Sequence, residues 1–489
     1  MAIQNQRGGH GRESHLIATY LKYSGTFNGR SHFGSNFLGS IFSKNTQNGY
    51  PVNLPKPPPT LGWASKVMGQ IKMPIEKLLR DRAHEADSFV REHFLDSHGV
   101  VLSWLDKETL RIPTEAFFPE VTEGMIAGED WHVSGFDRSE VAGYENCGMC
   151  TGSYLQSLVY RYHVEGTPAV LALAGQEFKA LHHIYKIGCE LEEGFFPKIY
   201  GTRFSNQTSS DQVLYAVYAM NHYAEIAPPA QRAEIRRMIP EMVRFWMKRN
   251  YTYLYYHVEN MAWPIMRFPP LLLLAQKYSD DPVFREEYHR LLSDENPQFP
   301  EWDQLIDKQQ GRRALSDYEE SQTAFLVYNM ADCLTMDVMN LDLLLKLDPS
   351  HVRYTQWRQG VLTMWDQAKL AIAPNGKYYS QILVDRETGE VRRPGGYSEG
   401  APAGTESGWS TMVARGAVMA SEHLPERTTE ITECVISILR QIGISEMTYL
   451  DNPDRLPPRQ RFKTRTLSGD SISNWLWAYW QGRFLNLFH

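Results

Sequence analysis

Residues 208–220 read TSSDQVLYAVYAM, and this stretch decides the predicted fold. Its polar start holds Asp211, and apolar residues then recur at helical spacing, namely Val213, Leu214, Val217 and Met220. Apolar residues spaced in this way predict a helix that turns one face to a core. The stretch therefore predicts an inner helix that begins at an acidic residue.

Six segments of the chain place an acid with polar neighbours just before or at the start of such a helical pattern. The acids are Glu145, Asp211, Glu259, Glu319 with Glu320, Glu406 and Asp470. Most of these patterns are followed by a break and a second, more charged helical pattern, which is typical of repeated αα-hairpins. An acid at a helix start is also a common cap that complements the helix dipole, so only the set of six is informative.

The predicted hairpins are 146–164 with 168–188, 210–226 with 230–249, 260–278 with 282–292, 320–347 with 351–371, and 408–422 with 427–442. A closing helix at 471–487 and a helix at 74–93 make the sixth pair. We expect an all-α fold, a closed (α/α)6 toroid, with a small β-hairpin insertion at 377–393 where residues alternate and turn at Thr388-Gly389. An open solenoid of helix pairs is the alternative, but the repeats vary in length and share no consensus.

The chain divides into two predicted regions. Residues 1–60 are rich in Gly, Ser, Asn and Arg and end in a proline run, so we expect a flexible or surface-wrapping extension. Residues 61–489 are expected to form one catalytic barrel domain. Within it, the stretch 113–144 reads as a long loop dense in acidic and aromatic residues, and such loops are usually functional.

The composition excludes several classes of protein. A net charge of −7 argues against a nucleic-acid partner. The sequence contains no run of 18 apolar residues that could span a membrane, and no signal peptide is visible. A cytoplasmic protein is therefore expected. Five cysteines without framework spacing indicate reduced thiols. The sequence shows no metal-binding motif and no phosphate loop, so we expect neither a metal nor a cofactor, and it leaves open whether the protein forms a homo-oligomer.

The stretch from Tyr144 through the loop EGFFPK at 193–198 to TSSDQ at 208–212 resembles (α/α)-barrel carbohydrate-active enzymes. The similarity is to the β-glucuronidases of glycoside hydrolase family 154 and, more distantly, to the unsaturated glucuronyl hydrolases, over about residues 75–489. The resemblance implies a glycosidase that releases a terminal uronic acid from an oligosaccharide. Unsaturated glucuronyl hydrolases also place an Asp at an inner helix start, a position that Asp211 resembles.

Glycoside hydrolysis needs a protonated carboxylic acid near the leaving oxygen and an ionised carboxylate that acts as nucleophile or activates water. Two carboxylates at different helix starts of one funnel can be held at working distances. Asp211 is the first candidate and Glu145 the second, while Glu320 and Glu406 are reserves. The competing interpretation for each is a plain helix cap.

A uronic acid carries its own carboxylate, which calls for Arg or Lys in charge-assisted contact. Candidate binding residues in loops at the predicted mouth are Arg138, Lys198, Arg203 and Arg267, together with His132 and His257. Aromatic rings can stack on the apolar faces of sugars. The candidates for that role are Trp131, Trp263, Tyr318 and Trp409, although ordinary core packing would explain each of them.

Two other functional classes stay open. A polysaccharide lyase would use a Tyr or His base with Asn, Gln or Arg neutralising the uronate, and no carboxylate pair is required. The segments 250–260, which includes Tyr255 and His257, and 221–223 offer such groups. A non-enzymatic helical scaffold would use the same repeats but would lack Trp and polar residues clustered at one end.

Overall fold

The computed structural model describes residues 75–118, 125–126, 129–130, 137–201, 203–255, 258–263, 265–293, 325–329, 333–373, 376–379, 381–385, 388, 391–392, 405–448 and 458–488. The extension predicted for residues 1–60 lies outside these ranges.

The α-helices of the described ranges are α1 (Ile75–Phe89), α2 (Arg138–Tyr144), α3 (Cys147–Glu165), α4 (Pro168–Cys189), α5 (Ser210–Ile226), α6 (Pro229–Met247), α7 (Phe268–Tyr278), α8 (Val283–Leu291), α9 (Val338–Leu347), α10 (Tyr354–Ala371), α11 (Ser407–His423), α12 (Thr428–Gln441) and α13 (Gly469–Phe484). The first, second and fifth predicted hairpins match these bounds to within two residues. None of the helices in the described part of the chain is long and apolar enough to cross a membrane.

Six inner helices form a closed ring, in the order α3, α5, α7, α9, α11 and α13. Each inner helix contacts the next, and α13 returns to contact α3. This closure confirms the predicted toroid and excludes the open solenoid. The predicted pairing of the first and last helices is confirmed as well, because α1 packs on α13.

The outer helices cover the ring from outside. Helix α4 packs on α3, α6 on α5 and α7, α8 on α7, α10 on α9, and α12 on α11. An outer helix buries one apolar face, as α12 does with Ile431, Val435, Ile438 and Leu439. An inner helix is enclosed on all sides, so every residue of α13 from Gly469 to Gly482 is buried.

The turns between paired helices follow ordinary capping chemistry. Helix α3 ends at Gly166, whose φ of 66° lies in the left-handed region that favours glycine. The next residue, Thr167, caps α4 by accepting a hydrogen bond from the Val170 amide, and Pro168 occupies the first helical position. The chain is thereby reversed within a few residues.

The six inner helices run in the same direction. Near their starts, Cys150 of α3 meets Asp470 of α13. Near their ends, Glu422 of α11 meets Gln481 of α13. Gln212 of α5 likewise bonds to Glu145 just before α3, while Lys277 of α7 meets Asn221 near the end of α5. Lys346 of α9 meets Glu422 near the end of α11. The starts of all six inner helices therefore lie at one end of the barrel, which we call the mouth, and their ends lie at the opposite end.

Glycine allows neighbouring inner helices to approach closely. A Cβ atom added at Gly152 of α3 would lie 2.8 Å from the backbone oxygen of Tyr215 on α5, a distance that real contacts do not show. A larger residue at this position would push α3 and α5 apart. The ring is thus narrow enough for side chains of opposite helices to meet along its axis.

Short antiparallel strands precede the inner helices. They are β1 (Trp104–Asp106), β2 (Met125–Ile126), β3 (Glu129–Asp130), β4 (Ile199–Tyr200), β5 (Arg203–Phe204), β6 (Thr252–Tyr255), β7 (Val258–Ala262), β8 (Phe325–Asn329), β9 (Tyr378–Tyr379), β10 (Gln381–Asp385), β11 (Val391–Arg392), β12 (Thr405–Glu406) and β13 (Thr466–Ser468). The pairs are β1 with β13, β2 with β3, β4 with β5, β6 with β7 and β9 with β12, while β10 pairs with both β8 and β11. The predicted hairpin near 377–393 is confirmed by the antiparallel pairing of β10 with β11, in which Val384 lies opposite Val391.

Some predicted boundaries were wrong. Residues 260–262 belong to β7, so the predicted helix 260–278 begins only at Phe268. The predicted helix 320–347 begins as an α-helix only at Val338, because residues 325–329 form a strand that pairs with β10. In both places, hydrogen bonds to a partner strand satisfy the backbone and outweigh the helical spacing of the side chains. The predicted loop 113–144 contains a helix, α2, whose preceding residue Asp137 donates its amide to the Glu140 carboxylate at 3.0 Å.

Candidate active site

Polar side chains line the axis of the barrel. Helix α5 places Asp211, Tyr215, Tyr218 and His222 at spacings of three and four residues, which puts them on one face. Contacts made by this face cross to other inner helices, since the Tyr215 hydroxyl donates to the Thr335 carbonyl oxygen at 3.1 Å. Asp211 lies in the first turn of α5, so the acid of this face is the member nearest the mouth.

The structure brings Asp211 and Arg267 together at the mouth. Arg267 ends a short 3-10 helix, Ile265–Arg267, directly before α7. Its Nη1 lies 3.9 Å from Asp211 Oδ1 and donates to Ser210 Oγ at 2.8 Å. The Asp211 side chain is 25% exposed, whereas Arg267 is buried. Solvent can therefore reach the carboxylate, and the guanidinium is held behind it.

A second carboxyl group, Asp470, lies within electrostatic range of Asp211. It occupies the first turn of α13 and is 5% exposed. Burial raises the pKa of Asp470 to about 7, and the negative charge of Asp211 adds to this shift. Hydrogen bonds from Cys150 and Asn146 and the positive charge of Arg415 act in the opposite direction. Asp470 is therefore protonated up to about neutral pH.

Arg415 lies deeper in the barrel and closes its axis. Its Nη2 donates to the Tyr215 hydroxyl at 2.7 Å and also to the Thr335 carbonyl oxygen. The guanidinium carbon lies 4.8 Å from the centre of the Trp477 ring. Arg415, Tyr215 and Trp477 are fully buried and contact one another across the interior of the ring.

Glu145 lies in the wall of the barrel. Its carboxylate accepts a hydrogen bond from Lys198 Nζ, and both side chains are buried. The backbone carbonyl oxygen of Glu145 accepts a bond from Gln212 Nε2 at 2.7 Å, which ties it to the helix of Asp211. Glu145 is thus at the predicted end of the barrel, but its charge is compensated by Lys198. The catalytic role of Glu145 stays a prediction.

Glu145→Gln separates a catalytic from a structural role. If the ion pair with Lys198 is structural, we expect a loss of about 1–3 kcal/mol in the free energy of unfolding, because a hydrogen bond to a charged group is weakened. Turnover should then change by less than about tenfold. Urea unfolding and steady-state assays on the same preparation measure both quantities. A drop in turnover of 100-fold or more without lost stability would restore Glu145 to catalysis.

Other predicted binding residues are engaged in contacts with the protein itself. Arg138 Nε donates to Glu115 Oε2 at 2.7 Å, and Arg203, which is 54% exposed, pairs with Glu140. Trp263 is buried and packs edge-on against Trp246, with ring centres 5.9 Å apart. Ion pairs account for the positions of the two arginines, and packing accounts for the position of Trp263.

The remaining candidates can be placed only in part. Glu406 is the last residue of β12, and Trp409 lies in the first turn of α11, so both belong to the mouth. Glu320, Trp131, His132, His257 and Tyr318 lie outside the described residues.

One of the two segments considered for a lyase, 221–223, lies away from the mouth. His222 lies near the end of α5 away from the mouth, and its Nδ1 is 3.0 Å from Gln156 Oε1. Burial and the nearby charge of Lys346 lower the pKa of His222 to about 3.

Sequence reasoning missed two residues of this site. Asp470 was one of the six acids but not a catalytic candidate, because position alone does not show that a carboxyl group is buried. Arg415 carried a usable signal, since a single cation stands within the apolar run MVARGAVMA at 412–420. A charge at that place in an inner helix indicates a buried cation.

Comparison with known proteins gives only distant likenesses. No family model matches the sequence. No curated protein matches it either. Among solved structures, a sugar epimerase from a ruminal bacterium is 11% identical, with a TM-score of 0.49 over 84% of this chain and 99% of that chain. The cellobiose 2-epimerase of Bacillus thermoamylovorans is 11% identical, with a TM-score of 0.47 over 83% and 99%.

An unsaturated glucuronyl hydrolase specific for heparin is 8% identical, with a TM-score of 0.46 over 84% of this chain and 97% of that chain. The fold rests on the ring of helix contacts described above.

Proposed function

We propose that the protein is a glycoside hydrolase that releases a terminal uronic acid from an oligosaccharide, in the manner of a β-glucuronidase. The observation that carries the proposal is a pair of carboxyl groups at the mouth that interact electrostatically and lie in different environments. Asp470 is buried and has a pKa of about 7, whereas Asp211 is partly exposed beside a guanidinium. A buried carboxyl group keeps its proton more readily than a partly exposed one beside a cation, so the first can act as the acid and the second as the carboxylate.

The proposed reaction uses the two groups in different roles. Asp470 gives its proton to the oxygen of the leaving group as the bond from that oxygen to the anomeric carbon breaks. The Asp211 carboxylate either attacks the anomeric carbon or takes a proton from the water that attacks it. The first route gives a covalent intermediate that water then hydrolyses, and the second releases the sugar directly. Both routes need the same two protonation states.

Arg267 supports the choice of a uronic acid as substrate. Its guanidinium is buried next to Asp211, and its Nε has no hydrogen-bond partner among the described residues. A buried cation with an unused donor is well suited to bind a carboxylate by charge-assisted hydrogen bonds. The resemblance drawn from the sequence points to the same substrate class.

The substrate class is tested by assaying aryl glucuronides against the matching neutral aryl glycosides. We expect the wild type to prefer the uronide, and Arg267→Met to lower kcat/KM on it about 30- to 1000-fold, because a contact to a buried carboxylate is lost. Arg236→Met, at an exposed cation of the outer helix α6, is the matched control and should stay near wild type. A wild type that prefers neutral glycosides contradicts the uronate assignment. Release of an unsaturated uronate from a polymer would instead establish a lyase.

The rate should fall as the pH rises through about 7, because the acid Asp470 then loses its proton. A pH profile of kcat/KM on a substrate with a poor leaving group measures this fall in rate, which we call the basic limb of the profile. Asp470→Asn removes the titrating group, so its residual activity should lack the limb. A wild-type profile that is flat across neutral pH would contradict the role of Asp470.

Stability gives an independent check on Asp470. A carboxyl group whose pKa is raised by folding contributes stability that is present at low pH and lost as the pH rises through its folded value, here about 7. Melting temperatures of the wild type and Asp470→Asn should therefore diverge from about pH 4 to about pH 7 and run parallel above about pH 8, with the variant gaining relative to the wild type as the pH rises. Parallel melting curves at all pH values would show that the carboxyl group is not buried as described.

A further inference from the structure

Cys150 and Asp470 meet at the starts of α3 and α13. Cys150 Sγ donates to Asp470 Oδ1 at 3.3 Å, and the cysteine is fully buried. The space around the thiol is tight, since a Cβ added at Gly469 would lie 3.3 Å from Sγ. The thiol therefore has a fixed position against one oxygen of the carboxyl group.

We infer that Cys150 is a positioning residue that orients the acid Asp470 and sets the pH at which it gives up its proton. This inference rests on the proposed function, because it takes Asp470 as the acid of the reaction. A donor that bonds to the ionised form of a carboxyl group favours that form. The thiol therefore lowers the pKa of Asp470 toward neutral from the higher value that burial alone would set.

The thiol is suited to this role because it remains protonated. Burial and the neighbouring Asp470 raise the pKa of Cys150 well above its usual value, so Sγ is a donor across the working pH range. Among the described residues, the charged and titratable groups near Asp470 include Asp211, which favours its protonated form, and Arg415, which favours its ionised form. The phenol of Tyr215 also interacts electrostatically with Asp470. Asn146 is a further hydrogen-bond partner of the carboxyl group.

The other cysteine of α3, Cys147, faces a different environment. Cys147 is also buried, but its neighbours are Asp96, Glu145, Lys198 and the backbone of Ile199. The two thiols lie in the same turn of α3 and have equal volume, yet one of them bonds to Asp470. Cys147 is therefore a matched control for Cys150.

The test compares pH profiles of Cys150→Ala, Cys150→Ser, Cys147→Ala and the wild type. We expect Cys150→Ala to move the basic limb up by about 0.5 to 1 pH unit, roughly a three- to tenfold change in the acid dissociation constant of Asp470. Cys150→Ser retains a donor, so its limb should stay within about 0.3 unit of the wild type. Cys147→Ala should leave the limb in place. Equal shifts in both alanine variants, or none in Cys150→Ala, would overturn the inference.

A direct titration separates this inference from the proposed function. The infrared band of the protonated Asp470 carboxyl group, identified by its loss in Asp470→Asn, can be followed with pH in each cysteine variant. A midpoint that rises in Cys150→Ala and not in Cys147→Ala supports the role of the thiol even if no glycoside is cleaved. An unchanged midpoint in Cys150→Ala overturns it even if glycosides are cleaved. The same spectra show whether each variant keeps its helical fold.

Discussion

Asp211→Asn should lower the turnover of every glycoside substrate by about 100- to 10 000-fold, whatever its leaving group. The reason is that Asp211 is the partly exposed carboxylate at the mouth and is proposed to act on the anomeric carbon or on the attacking water. Asparagine keeps the size of the side chain but removes the charge and the basic oxygen. Steady-state kinetics on aryl and alkyl uronides of graded leaving-group strength would measure the effect.

Asp470→Asn should behave differently in the same assay. An acid is needed most when the leaving group is poor, so the loss should be about 100-fold or more on alkyl uronides and much smaller on activated aryl uronides. Asp280→Asn makes the same substitution at an exposed position just after α7 and serves as the control. If Asp211→Asn keeps near-normal turnover while Asp470→Asn does not, the assignment of two roles to this pair is wrong. If both keep it, the site lies elsewhere.

The second large effect is on stability, at the end of the barrel opposite the mouth. Asp342 of α9 is fully buried and accepts a hydrogen bond from the Tyr218 hydroxyl at 2.7 Å. Its other oxygen lies 2.9 Å from Lys346 Nζ and 2.8 Å from His423 Nε2. Although burial opposes ionisation, the charge of Lys346 and the bond to His423 hold the pKa of Asp342 below its usual range. One carboxylate thus joins three inner helices.

We expect Asp342→Ala to lower the free energy of unfolding by about 3 kcal/mol, because its loss leaves buried donors without their acceptor. The cost stays at the lower end of the usual range, since Lys346 is 32% exposed and retains Glu422 at 3.0 Å. Thermal and urea unfolding would measure it. Asp366→Ala, a partly exposed acid paired with Lys369 on α10, is the control and should change stability by less than about 1 kcal/mol. Equal effects of the two substitutions would show that the buried network around Asp342 adds nothing to the free energy of unfolding.

Helical spacing of apolar residues was sufficient to predict most of the barrel. The spacing of apolar residues that identifies an inner helix lies within about three helical turns, as it does in α5 from Asp211 to Met220. The failures lie where a strand pairs with a distant partner. Residues 325–329 read as helix in isolation, but their hydrogen-bond partners are 381–385, more than fifty residues away. A local pattern does not contain that pairing.

The candidate site was predicted less completely than the fold. Asp211 and Arg267 were both identified from sequence, and the structure brings them to one place. The environment of Glu145 depends on Lys198, which is 53 residues away, so its local sequence gave no sign of the ion pair. Local sequence can place an acid at a helix start, but it does not show which cation will neutralise it.

The sequence by itself determined the helix pairs and their number, because these follow from side-chain spacing within single segments. Of the six predicted acids, Glu145, Asp211, Glu406 and Asp470 lie at or directly before the start of an inner helix, whereas Glu259 lies in strand β7. Only the tertiary structure decided which acid is protonated. Asp470 and Cys150 are 320 residues apart, and they meet because the last inner helix closes the ring against the first. Burial and neighbouring charges set the pKa of a carboxyl group, and both exist only after the ring has closed.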